Sequence, residues 1–254
     1  LELVAAELAR LAGWAYFDAR QYSTARTHFA QALRLAHGQR DHLFIANVLS
    51  CMSLQATYDG DPADAVRLAC KAQDSARVSG EQPLVMAMLS MREAFAHASL
   101  RDRSAGHQAI GRSRDAFEAA AQGAPAPSWV RYFDETKLIV DTGIALAGLG
   151  EPKRAEPLIA EGLRRETTAQ RRGRAFHAFW LATAQLHQGE LDAACDSASL
   201  ALDLSASIDS PTCHVSRVTW VSSTAVSPRT PGKRQWWPSN NACVTCSPND
   251  LVHG

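Results

Sequence analysis

The sequence predicts an all-α protein, an α-solenoid of about five helical hairpins over residues 1–209 followed by an irregular tail over 210–254. Three observations predict it. Before position 209 apolar residues recur at helical spacing nearly everywhere, and the alternation of a half-buried strand is missing. A ladder of small residues then returns five times, each time in the second helix of a pair: Ala25/Phe29/Ala32, Ala65/Ala69/Ala72, Ala105/Ala109/Arg112, Ala155/Ile159/Gly162 and Ala194/Ala198/Ala201. The first alanines of successive ladders fall roughly forty residues apart, with one step of about fifty, which is the scale of a helical-repeat array rather than of one closed core.

Ten helices are expected near 2–19, 22–37, 41–59, 62–79, 82–100, 103–122, 130–149, 152–168, 170–188 and 191–206. Asp41 and Asp102 are N-caps for the helices that follow them. In Gly60-Asp61-Pro62 the glycine takes the left-handed conformation that closes one helix, Asp61 caps the next, and Pro62 stands at the first position, where its missing N–H is not needed. Gly150-Glu151-Pro152 repeats the device, and Gly189-Glu190-Leu191 keeps only the glycine. The run Gly-Ala-Pro-Ala-Pro-Ser over 123–128 reads as a loop that supplies the long step between the third and fourth units. Pro157 predicts a kink, or a helix that starts later than Pro152. The alanines mark helix crossings, which close to about 8–10 Å only where side chains are short. A larger residue at Ala65 or Ala194 would overpack its contact at a cost of about 1–3 kcal/mol.

The 26 basic and 26 acidic residues balance, so no net field draws the chain to nucleic acid or to an anionic membrane. Glu2, Glu7 and Arg10 interrupt the first apolar stretch, which therefore lacks the core of a signal peptide, and no later stretch approaches a membrane span. A cytoplasmic protein is expected, and a chain opening on Leu1 reads as a piece of a longer polypeptide. Cys51, Cys70 and Cys195 lie in Ala/Leu-rich helices and read as small apolar fillers. No His-Glu-x-x-His, phosphate-binding glycine loop or Gly-x-Ser-x-Gly elbow occurs. An enzyme is not expected, nor a cofactor. Arg164, Arg165, Arg171, Arg172 and Arg174 form a basic run that reads either as a phosphate or acidic-partner site or as solvated charge in a connection.

The landmarks resemble the tetratricopeptide repeat. In the first unit they are Ala12-Gly13, Tyr16, Ala25, Phe29 and Ala32; in the second Leu49, Gly60, Ala65, Ala69 and Ala72, with Ser53 in place of the central glycine; in the fourth Gly143, Gly150 and Ala155; in the fifth Gly189, Ala194, Ala198 and Ala201. The first unit departs at Ala9 and has no turn glycine between Asp18 and Gln21, and the third unit is the most degenerate. Longer phrases, among them AELARLAGWAYFDARQYSTARTHFAQALRLA and LATAQLHQGELDAAC, resemble the C-terminal repeat region of actinobacterial Xre-class helix-turn-helix regulators. The resemblance covers about residues 1–209. It implies a right-handed superhelix serving as the protein- or peptide-binding and dimerising module of a bacterial transcriptional regulator, possessing no DNA contact of its own because this chain holds no helix-turn-helix unit. A stand-alone scaffold that assembles other proteins is the alternative.

In a tetratricopeptide array the first helix of each pair lines a concave groove. Aligning the units gives Glu7, Arg10, Trp14, Phe17, Asn47, Ser50, Tyr58, His97, Lys137, Phe179 and His187 as groove candidates. Asn47 and Ser50 would hydrogen-bond a peptide backbone, and Trp14 and Tyr58 would supply aromatic anchors. The competing reading makes Trp14, Phe17 and Phe179 core between adjacent pairs. Trp129 to Glu135 adds Arg131, Asp134 and Glu135 as candidates; the two carboxylates lie near the positive end of a helix dipole or pair with arginines of a neighbouring repeat.

After Asp209 serine, threonine and proline dominate and glutamate disappears, while Trp220, Trp236, Trp237, Cys213, Cys243 and Cys246 arrive together. A zinc site built from Cys213, His214, Cys243 and Cys246, a disordered tail, and a shifted reading frame are the three readings, of which the frame shift also accounts for the loss of an expected capping helix.

Overall fold

A computed structural model describes residues 1–80, 82–121 and 126–206 of the chain. Readings that concern the tail, its cysteines and most of the Pro-rich loop lie outside the described residues. Within them the protein is all-helical: α1 (Glu2–Asp18), α2 (Tyr22–Gln39), α3 (His42–Asp59), α4 (Pro62–Val78), α5 (Pro83–Leu100), α6 (Arg103–Ala120), a single 3-10 turn (Ser128–Val130), α7 (Glu135–Gly148), α8 (Pro152–Arg165), α9 (Arg171–Gln188) and α10 (Leu191–Ala206). Each odd helix packs most closely on the even helix that follows it, and successive hairpins stack through α2–α3, α4–α5 and α8–α9. This is a solenoid of five helical hairpins. The α6–α7 junction is the most sparsely packed of those between consecutive helices.

Punctuation follows side-chain reach. Asp41, Asp61 and Asp102 accept the backbone N–H three residues on, from Phe44 at 3.0 Å, Asp64 at 3.1 Å and Ala105 at 3.0 Å, each cap contributing about 1 kcal/mol. Gly60 ends α3 at φ +86°. Glu151, one methylene longer, makes no cap bond. Its carboxylate turns to His107 at 2.8 Å and Arg154 at 2.6 Å, tying α6 to the start of α8. Without turn glycines, Arg20, Arg40 and Arg101 take the left-handed conformation themselves.

Three expectations are corrected. The helix expected from residue 130 begins at Glu135, because Asp134 is its N-cap and accepts the Lys137 N–H at 2.8 Å. The later start, one of the two expectations at Pro157, is not met: α8 starts at Pro152 and runs through Pro157. The ring is on the exposed side, where water can satisfy the carbonyl that lost its donor. In the third unit the buried ladder is Gly106/Ala109/Ser113, with Ala105 half-buried and Arg112 exposed.

In the other four units the first two ladder residues are buried, Ala25, Phe29, Ala65, Ala69, Ala155 and Ile159 completely. Facing them on the partner helix stands a residue that lets the backbones close. A Cβ on Gly13 would come 2.6 Å from the Phe29 ring, and one on Gly143 2.7 Å from Ile159 Cγ1 and 3.0 Å from the Ala155 carbonyl oxygen. In the second hairpin Ser53 holds that place and its hydroxyl donates to the Ala65 carbonyl at 2.8 Å. Cys51 is buried as expected, whereas Cys70 and Cys195 are exposed, on the outer faces of α4 and α10.

Candidate functional site

The stacked hairpins curve around a cavity of about 1230 Å3. Helical periodicity explains its walls. One stripe of α1 (Glu7, Arg10, Trp14, Phe17) and one of α3 (Asn47, Ser50, Leu54, Tyr58) face it, joined by Arg92 and Phe95 of α5 and by Lys137, Asp141 and Ile144 of α7. The far side is α9 with the connection before it, and the end of α10. The segment after the Pro-rich loop reaches in as well. Val130 and Phe133 are buried in the core and hold Trp129 and Tyr132 against the cavity.

Aromatic rings dominate the lining. Trp14 and Phe17 stand 5.4 Å apart, and Phe17 meets Tyr58 edge-on at 5.7 Å. On the opposite wall Trp180 contacts Phe176 and Phe179 at 6.4 and 6.1 Å. Trp14, Phe17 and Phe179 each both pack on core residues and line the cavity, so the competing readings describe two faces of the same side chains.

Charges in the lining are mostly matched. Arg10 grips Glu7 at 2.6 Å, Lys137 meets the buried Asp141 at 2.5 Å, and His177 and Glu166 lie 2.7 Å apart. Arg172 pairs with Asp18 across the mouth. Arg92 differs. Only 9% exposed, it donates from Nη2 to the Tyr132 hydroxyl at 3.1 Å, its Nε has no partner, and no carboxylate among the described residues pairs with it. Burial pushes the Cys51 thiol and the Tyr58 hydroxyl up from their ordinary values, with Arg10 and Arg92 opposing the first and Arg92 the second, so both neighbours of Arg92 are uncharged at neutral pH.

The structure brings Arg10, Trp14, Asn47, Ser50, Tyr58 and Lys137 together on the cavity wall. It places five other candidates elsewhere, of which His187 is exposed near the end of α9. His97 lies 3.6 Å from Glu93 and 3.9 Å from Asp102, on the side of α5 that faces α6. Arg131 is exposed and bonds Ala126 O at 3.4 Å, Asp134 caps α7, and Glu135 pairs with Arg165 at 3.0 Å. The basic run is largely engaged as well: Arg164 and Arg165 hold Glu161, and Arg174 closes the end of α8 by donating to the Leu163 and Glu166 carbonyls at 2.7 and 3.0 Å. Sequence reasoning missed Arg92 and Tyr132. The available signal was Arg92 itself, a cation inside the apolar run from Leu84 to Ala98 where packing leaves no route to solvent.

No family model matches the chain, and no curated protein shows significant similarity to it. Among the described residues no helix is long and apolar enough to cross a membrane, and no cluster of His, Cys, Asp and Glu has the arrangement of a metal site.

Proposed function

We propose that this chain is the ligand-binding and dimerising module of a bacterial transcriptional regulator, a tetratricopeptide-type array whose concave cavity takes a peptide or protein segment. The cavity carries the reading. Its walls are the first helices of successive hairpins, its aromatic lining is the kind of surface that dominates interfaces, and its volume exceeds the range of about 300–1,000 Å3 usual for small-molecule sites. Asn47 is buried yet its amide Nδ2 makes no hydrogen bond among the described residues, which leaves a donor for a peptide carbonyl. Glu7, Asp18 and Asp141 of the lining each sit in an ion pair, with Arg10, Arg172 and Lys137, and the reading assigns no reaction to the site.

Occupancy is relayed as a change of curvature. The sparse α6–α7 junction, beside Tyr132 and Arg92, is where two rigid blocks of hairpins would turn against each other. A partner surface is also at hand: Leu1, Val4, Leu8 and Leu11 of the first hairpin are exposed at three- and four-residue spacing, an apolar seam that supports docking of a second copy or of a preceding domain. The bacterial cytoplasm belongs to the same reading.

Two measurements test it. Titration of displayed peptide libraries against the fluorescence of Trp14, Trp129 and Trp180 should give saturable binding, and small-angle scattering should report a changed radius of gyration when the cavity fills. Reading the open reading frame upstream of Leu1 should reveal a helix-turn-helix segment; its absence favours the stand-alone scaffold.

A further inference from the structure

We infer that the cavity wall between Arg20 and Arg92 binds a mononucleotide, its phosphate shared by the two guanidinium groups and its base stacked on the aromatic lining. The inference stands apart from the peptide reading, because this ligand is a small molecule that fills only part of the cavity.

Six arginine and lysine side chains line the cavity against four carboxylates, Glu7, Asp18, Asp141 and Glu166. Three of those carboxylates are held by Arg10, Arg172 and Lys137, and Glu166 lies against His177. Arg20, Arg92 and Arg171 are left, none of them paired with a carboxylate among the described residues. Arg171 is exposed at the start of α9, where water solvates it. The other two converge. Both act on the Tyr58 hydroxyl, whose surroundings also hold Tyr22 and Asp141. The acids near them are taken: Asp141 by Lys137 at 2.5 Å, and Asp59, which shares the surroundings of Tyr22 with Arg20, by Arg26 at 2.5 Å. Arg92 is 9% exposed and its Nε has no partner. A buried, uncompensated guanidinium is tolerated where its counter-ion arrives with a ligand.

A phosphate monoester carries close to two negative charges and three strong acceptor oxygens at neutral pH. That is one charge for each guanidinium, with the Tyr58 and Tyr132 hydroxyls beside them. A carboxylate would answer only one of the two. The rest of the wall suits a planar base. Trp14 and Phe17 stand 5.4 Å apart, Phe17 meets Tyr58 edge-on at 5.7 Å, and Trp129 lines the cavity with the Arg92-bound Tyr132. Stacking on such rings stabilises any base, whatever its identity. Ser50 and Asn47, whose Nδ2 is unbonded, lie about two and three turns along α3 from Tyr58, where the polar edge of the base would come. At about 1230 Å3 the cavity holds such a ligand with space to spare. A nucleic-acid strand is the poorer fit, because the 26 basic and 26 acidic residues of the chain supply no extended field for a run of phosphates.

The experiment titrates the full chain with the monophosphates of adenosine, guanosine, cytidine and uridine, with the matching nucleosides and with inorganic phosphate, read by calorimetry. At least one monophosphate should bind about tenfold or more tightly than its nucleoside and than inorganic phosphate. Arg20→Asn, a replacement that tolerates the left-handed backbone at this position, should remove that advantage. Arg92→Met should remove it too, and Arg171→Gln should leave it intact. Arg20 is only half-buried, so its variant decides even where Arg92→Met fails to fold. Nucleosides or inorganic phosphate binding as tightly as the monophosphates overturn the inference, and so does undiminished affinity in Arg20→Asn or a loss in Arg171→Gln as large as in Arg20→Asn. Refusal of all the monophosphates overturns it as well, whether or not a phosphotyrosine peptide binds in their place. Unphosphorylated peptides are titrated separately, so this inference and the peptide reading can each fail alone.

Discussion

Arg172, near the start of α9, pairs with Asp18, the last residue of α1, so that the first and fifth hairpins are tied across the mouth of the cavity. Arg172 is half exposed and Asp18 less so. An ion pair in that setting contributes at most about 1 kcal/mol and is screened by salt. Arg172→Ala should therefore leave the urea midpoint nearly unchanged while enlarging the radius of gyration. In the parent protein added salt should enlarge it too, and in the variant salt should have little further effect. Identical scattering curves for the two proteins would show that the pair does not hold the mouth.

Close approach of helices should outweigh helix propensity at the crossings. Replacing a helical glycine whose Cβ would meet nothing by alanine ordinarily gains about 0.5–1 kcal/mol, and the half-buried Gly111 should do so as Gly111→Ala, since nothing lies within 4 Å of its added Cβ. Gly143→Ala meets Ile159 and the Ala155 backbone, and Gly162→Ala meets Val140. Each should lose about 1–3 kcal/mol. Val140→Ala combined with Gly162→Ala should recover more than the two single changes predict, as a double-mutant cycle in urea would reveal.

Ser53 should be replaceable neither by glycine nor by alanine without cost. Its hydroxyl is completely buried and donates to Ala65 O, where other hairpins have bare backbone. Ser53→Ala should lower stability by about 1 kcal/mol, the usual net value of such a bond. Ser113→Ala, which breaks the bond to Ala87 O at 2.8 Å, should match it. Thermal or urea unfolding of the two variants checks both.

Acid should loosen the middle of the array through Glu93. Burial alone would raise its carboxyl, but hydrogen bonds from Gln73 at 2.8 Å and Arg112 at 2.7 Å, with the charges of Arg112 and His97, outweigh burial and hold it below the ordinary 4.5. The folded state thus binds this proton less readily than the unfolded chain does. The stability it contributes is complete above pH 4.5 and is lost as pH falls from there through the depressed native value. Glu93→Gln should be less stable than the parent at pH 7 and should lose less on acidification, measured as urea midpoints across that range.

Much of this architecture was legible because its determinants are local. Alanine ladders, Asp caps and the glycine at position 60 each act within a few residues, so ten helices and five hairpins could be placed to within a few positions, and the stripes bearing Arg10, Trp14, Asn47 and Tyr58 followed from periodicity. Two kinds of error came from competition that sequence does not display. Asp134 and Glu151 have similar chemistry, but only the shorter side chain reaches a backbone N–H; the longer one finds His107, 44 residues away in the chain. His97 was assigned to the groove by alignment of units, yet the stripe of α5 that lines the cavity runs through Arg92 and Phe95, and His97 lies instead beside Glu93 and Asp102. Arg92 escaped for a different reason: a charge inside an apolar run reads as an interruption until the surrounding acids are seen to be taken.

The spacer positions opposite the ladders have a further meaning. Gly13, Ser53 and Gly143 fix how near the two rods of a hairpin lie, and in a stacked coil any change of that gap is repeated along the axis and alters the width of the central opening. The aperture is therefore adjustable by one small atom group per hairpin, at sites that no guest molecule touches, and related arrays could re-size their hollow for longer or shorter occupants while leaving every contacting side chain in place.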